Sequence, residues 1–139
     1  MNVREIEAQR WFKQAQADLE AVRTLHAAGH HAAACFYAQQ AAKKALKAVL
    51  YGQGKRVVLG HSVRDLTGRC AEYDRRFADV VEEAALLDQF YIPTRYPNGL
   101  PAPAIPSEAY TATHTAAALQ AAGQVLRCAE SFLRGKALL

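Results

Sequence analysis

The sequence predicts an all-α fold: an antiparallel up-and-down bundle of four main helices plus one short helix, expected to form a single domain over residues 1–139. Three observations carry this. The chain is rich in alanine and leucine, and alanine has the highest helix propensity because it loses no side-chain entropy in a helix. Apolar residues recur at three- and four-residue spacing in nearly every segment. All five prolines fall between Pro93 and Pro106, which confines the helix breakers to one stretch.

Residues 4–28 read as the first helix, with Ala8, Trp11, Phe12, Ala15, Leu19, Val22 and His26 on one face and Gly29 as its stop. The second runs from His31 to Tyr51 and ends at Gly52-Gln53-Gly54. Its small residues, Ala34, Cys35, Ala38, Ala41, Ala42, Ala45 and Ala48, allow close helix approach, while Phe36, Leu46, Val49 and Leu50 add bulk. The short connection between these two helices implies an antiparallel pair. After a loop with Lys55 and Arg56, His61 and Ser62 open a short helix, for which Ser62 is the natural N-cap. A fourth helix is expected over 75–91, closed by Pro93, with Phe77, Val80, Ala84, Leu87 and Tyr91 in register. Residues 92–107 hold too many large side chains for a linker and should pack as an ordered loop. The last helix is expected to start after Ser107, as N-cap, and to run to Gly135; the tail 136–139 should fray.

A net charge of +4 on a small domain favours an anionic partner such as a nucleotide or RNA, although the same charge also serves solubility. The three cysteines, Cys35, Cys70 and Cys128, are odd in number and lack CxxC spacing, so they form no disulfide framework. The N-terminus lacks the apolar core of a signal peptide, and no apolar run is long enough to span a bilayer; a cytoplasmic protein with no membrane association is expected. No phosphate-binding glycine motif and no nucleophile signature is present. His26, His30, His31 and Cys35 have spacings that suggest a metal, but Gly29 interrupts the helix between them and no carboxylate is near, so neither a metal nor another cofactor is expected.

Arg95 is the foremost candidate for a binding role. It lies between Tyr91 and Tyr96 on a proline-stiffened loop, joining a planar fork of donors suited to phosphate with aromatic faces suited to a base. Its structural alternative is to cap carbonyls at the end of the fourth helix or to pair with Asp88. His61 has a side chain able to exchange a proton near neutrality, or else it stabilises the start of the short helix. Lys43, Lys44 and Lys47 crowd two turns of the second helix, with Lys43 and Lys47 on one face; they form either a phosphate-attracting stripe or a solvated face.

Three ordered segments carry a resemblance: AACFYAQQAAKKALKAVL at 33–50, GHSVRDL at 60–66 and FYIPTRYPNG at 90–99, preceded by Trp11 and Ala17-Asp18-Leu19. Together they resemble the HEPN family, whose members have a glutamine-rich, lysine-ending second helix, a His-x-x-x-x-Leu segment and a Tyr-x-x-x-Arg-Tyr-Pro loop. Lys43 departs from the acidic residue common there. The resemblance implies a helical module that binds nucleotides, pairs as a homodimer and accompanies a separately encoded minimal nucleotidyltransferase, as in toxin–antitoxin pairs. On that reading Arg95, Tyr96, Tyr91, Lys47 and His61 would meet the nucleotide, and no residue is catalytic. The alternatives are a metal-independent homodimeric HEPN ribonuclease, or a helical adaptor without ligand. Ribonuclease members carry R-x4-6-H in the C-terminal part of the bundle, whereas here Arg127 and Arg134 have no histidine following. Arg56 with His61, and Arg23 with His30, match by count but lie elsewhere.

Overall fold

Asn2 opens the first helix by accepting a 2.9 Å hydrogen bond from the Glu5 N–H. In the computed structural model, which describes residues 1–139, α1 spans Val3–Ala27 and α2 spans His31–Gly52. Gly29 adopts φ 83° at the turn between them, where a side chain would be strained. α2 is the centre of the molecule: α1 and α6 (Ala112–Gly135) pack along its length, and α3 (Val63–Ala71) and α5 (Pro106–Ala109) also lean on it. The alanines at 34, 38, 41, 42, 45 and 48 are fully buried, so the neighbouring backbones approach closely. No strand is present.

Ser62 caps α3 as its sequence predicts, accepting from the Asp65 N–H at 3.0 Å. A second anchor comes from Asp88, whose carboxylate accepts from Ser62 Oγ at 2.8 Å and from the backbone N–H groups of Val63 and Arg64 at 2.6 and 3.2 Å. Four orphan donors are typical of a helix start, and a carboxylate there also complements the helix dipole.

Three expectations need correction. The fourth helix is not continuous over 75–91: Arg75–Val80 is a 3₁₀ helix capped by Asp74, and α4 covers only Val81–Asp88. Val80 leaves helical geometry (φ −112°, ψ 18°) at the junction. At the far end Pro93 offers no N–H to residue 89 and disfavours helix at Ile92, so the chain unwinds and Tyr91 lies beyond the helix. The last helix does not start at Ser107. Pro106 begins the one-turn α5, the chain extends through Tyr110 and Thr111, and α6 starts at Ala112 with His114 Nδ1 accepting from the Thr111 N–H at 3.0 Å. Nor does the tail fray. Leu138 is buried, its carbonyl accepts from Gln9 Nε2, and its side chain lies where a Cβ on Gly52 would meet it at 2.8 Å.

The proline-rich segment is ordered as expected. Thr94 is buried and its hydroxyl donates to the Phe90 carbonyl at 2.5 Å. Pro97–Gly99 forms a 3₁₀ turn folded onto Pro93, with Gly99 so close that a Cβ there would sit 2.9 Å from the proline Cα.

Candidate anion-binding site

The exposed edge of α2 and the loop after α4 meet at a cluster of rings and cations. Phe36 and Lys43 come from α2, seven residues apart and therefore on one face. Tyr91, Arg95 and Tyr96 come from the proline-stiffened loop, and His61 from the approach to α3. Gln39, fully buried on α2, fixes the backbone of His61 by donating to its carbonyl at 2.9 Å. The His61 ring stacks on Tyr91 with centroids 4.9 Å apart and planes 17° from parallel. Phe36 stacks more loosely against Tyr91 at 6.3 Å.

Arg95 lies over three rings, with its guanidinium carbon 4.4 Å from the Phe36 centroid, 4.6 Å from Tyr91 and 5.2 Å from Tyr96. Its Nε donates to the Tyr91 carbonyl at 2.9 Å, so one edge of the fork is anchored in the loop. It does not pair with Asp88, which is committed to the start of α3. The capping role weighed for Arg95 is therefore present in part, through Nε, and the remaining guanidinium donors have no protein acceptor.

Lys43 and Lys47 are not a solvated face: each is only 8% exposed. Lys43 Nζ lies 5.7 Å over Tyr91, and Lys47 Nζ lies 5.7 Å over Trp11, one turn further along α2. Neither has a carboxylate partner; the ion pair on this stretch belongs to Lys44, bonded to Asp18 at 2.6 Å. Burial, reinforced by Lys47, Lys44 and Arg95 and opposed by Asp18, pushes the Lys43 ammonium down to about 8 from its usual 10.5. Burial, followed by Arg69, also lowers Lys47. Partial desolvation, followed by Lys43, Lys47 and Arg95, holds His61 below its ordinary value and so favours the neutral imidazole. The field is one of concentrated positive charge without its counter-charge.

Of the residues singled out by sequence, Tyr91, Arg95, Tyr96 and His61 come together, and Lys47 lies off to one side against Trp11. Tyr91 is crowded by His61, Phe36, Arg95 and Lys43, whereas Tyr96 is half exposed. Phe36, read from sequence as mere bulk, is the residue that was missed; its helical register with Lys43 was the available signal. Among the residues with metal-binding spacing, His31 Nδ1 is hydrogen-bonded to Thr115 Oγ1 at 3.0 Å, and the same hydroxyl meets Cys35 Sγ at 3.9 Å. No helix is long and apolar enough to cross a membrane.

The whole architecture recurs in solved structures. TT1696 from Thermus thermophilus superposes with a TM-score of 0.85 at 38% identity, covering 90% of this chain and 97% of that one. The archaeal HEPN homologue ST0689 gives 0.75 at 32% identity, covering 91% and 98%. A HEPN domain protein from Thermotoga maritima gives 0.70 at 27% identity, covering 90% and 98%. Human sacsin is 27% identical over 94% of this chain, which spans only 3% of sacsin's length. The HEPN domain family model matches residues 8–135, and the chain belongs to the HEPN domain family.

Proposed function

We propose that this chain is a nucleotide-binding accessory module, folding as one domain and working as a homodimer beside a separately encoded minimal nucleotidyltransferase. One observation carries the reading: Lys43 and Arg95 meet at an aromatic cluster, with Lys47 one turn away against Trp11, and no carboxylate neutralises them. Buried or crowded cations without counter-ions are unfavourable in the free protein, and an anionic ligand relieves that. The free donors of Arg95 suit a phosphate fork, and the lysines serve as point charges beside it. Because Tyr91 is already enclosed, the base would stack on Tyr96 or on the outer face of His61. His61, its neutral form favoured by the surrounding cations, can donate and accept hydrogen bonds without adding charge.

The ribonuclease alternative would need an arginine and a histidine acting together. Of the pairs that match its spacing by count, Arg56 and His61 are split: Arg56 lines a groove beside α1, whereas His61 stacks on Tyr91, the ring that Arg95 also covers.

Isothermal calorimetry with ATP and GTP tests the reading. Wild type should bind, and Arg95→Ala should bind at least about tenfold more weakly, the scale of one charge-assisted hydrogen-bonded contact. Arg95→Lys should also lose affinity, because it keeps the charge but not the fork. Equal affinity in wild type and Arg95→Ala would assign Arg95 to loop structure alone.

A further inference from the structure

A second basic concavity lies apart from the Arg95 cluster, between α1 and the loop that follows α2. It is a groove of about 1090 Å³, lined among others by Arg4, Trp11, Lys13, Tyr51, Lys55 and Arg56. Trp11 and Tyr51 stack there at 5.3 Å, 26° from parallel, forming an aromatic floor. Tyr51 also fixes the loop, its hydroxyl accepting from the Val58 N–H at 3.3 Å. Gly54, at φ 92°, turns the loop back over the stem of Arg4.

The charges of this groove divide cleanly. Arg10 is held by Glu7 at 2.7 Å and Lys44 by Asp18 at 2.6 Å. Arg4, Lys13, Lys55 and Arg56 have no carboxylate partner and are exposed. Four free cations around stacked rings is the combination that tracks a nucleic-acid backbone while bases lie on aromatic faces.

We propose that this groove is a second phosphate-binding site and that its ligand is a single-stranded polynucleotide. A polymer is favoured over a mononucleotide because Arg4 and Lys13 stand nine residues apart on α1, about 13 Å along its axis. Lys43, Lys47 and Tyr51 follow one another at four-residue spacing on α2, a run of about 12 Å. Lys47, lying over Trp11, links the groove to the Arg95 cluster, so one extended strand can follow that line. A duplex is disfavoured because its stacked bases offer no face to Trp11. The groove stands whether or not a nucleotide occupies the Arg95 cluster.

Trp11 is the only tryptophan, so its fluorescence reports on this groove directly. The probes are a 12-nucleotide oligouridylate, the matching oligothymidylate, a 12-base-pair duplex and polyglutamate. Either single strand should change Trp11 emission and bind more tightly than duplex or polyglutamate; a preference between the two would name the sugar. Arg4→Glu with Lys55→Glu should weaken single-strand binding at least tenfold and reduce the salt dependence by about 1.4 in log–log slope, about 0.7 for each phosphate left without its cation. ATP affinity should stay within twofold. A glutamate in the first turn of α1 suits the helix dipole, so the variant should fold; Lys13→Gln with Arg56→Gln provides an independent charge-neutral check. Unchanged single-strand affinity in both variants would overturn the proposal, as would equal binding of polyglutamate or duplex. If ATP fails to bind wild type while the strand still depends on Arg4 and Lys55, the nucleotide reading falls and the groove remains.

Discussion

Two lysines adjacent in sequence, Lys43 and Lys44, stand in opposite electrostatic situations. Lys44 faces α1, where Asp18, with a side chain only 5% exposed, meets it at 2.6 Å and also accepts from Gln14 at 2.9 Å. Lys43 faces the loops, is nearly as buried as Asp18, and meets an aromatic ring and other cations but no carboxylate. A cation that serves the fold is given its counter-charge within the chain. A cation kept buried without one makes the free protein less stable, and that penalty has a use only if something anionic arrives. The same contrast divides the α1 groove, where Arg10 and Lys44 are paired and Arg4, Lys13, Lys55 and Arg56 are not.

Removing the two lysines separately tests this difference most directly. Lys44→Met should leave the Asp18 carboxylate buried with only Gln14 for company and destabilise the fold by about 3 kcal/mol, as removal of one partner of a buried pair does. Lys43→Met should act in the other direction, stabilising the free protein by about 1 to 2 kcal/mol at pH 7 because a desolvated, repelled charge is replaced by an apolar side chain of similar length. The same substitution should weaken ATP binding about tenfold, the cost of one phosphate-facing charge. Urea denaturation of the two variants measures the signs. Destabilisation in both would mean that Lys43 is an ordinary structural lysine.

Much of this contrast was hidden in the sequence, for a physical reason. Local chemistry was legible: Gly29 supplies the positive φ that the turn after α1 needs, Ser62 caps the helix that follows it, and the proline cluster limits its own segment to single helical turns. The second helix, its alanine face and the crowding of Lys43, Lys44 and Lys47 follow from a 3.6-residue period alone. Features depending on a distant partner were not legible. Asp88 leaves the end of its own helix to serve the start of α3, Leu138 finds its place over Gly52, and Asp18 selects Lys44 rather than Lys43. The Arg95 cluster was half legible: the Tyr91–Arg95–Tyr96 loop announces itself, whereas Phe36 joins it only once α2 is set beside that loop.

The smallest expected effect isolates the ionisation of Lys43 itself. Its folded value of about 8 lies below the usual 10.5, so the folded protein releases this proton before the unfolded chain does. The unfolded state then binds more protons between those values, and stability rises with pH across that window; the penalty is complete below about pH 8 and fades above it. The wild-type protein alone would blur this, because burial raises the thiols of Cys35, Cys70 and Cys128, and their ionisation in the unfolded chain lowers stability as the solution becomes alkaline. Lys43→Met keeps all three cysteines, so their contribution cancels when the two proteins are compared. The stability advantage of the variant at pH 7 should therefore shrink by about 1 kcal/mol by pH 9.5, as wild type sheds its unfavourable charge. ATP should have the opposite effect on the lysine, drawing its value upward, so binding to wild type at pH 8 should take up a fraction of a proton that binding to Lys43→Met does not. Denaturation midpoints at pH 7, 8 and 9.5, with calorimetry in two buffers of different ionisation enthalpy, measure both quantities. A stability gap independent of pH, together with no difference in proton uptake, would place Lys43 in ordinary contact with water and remove the distinction between it and Lys44.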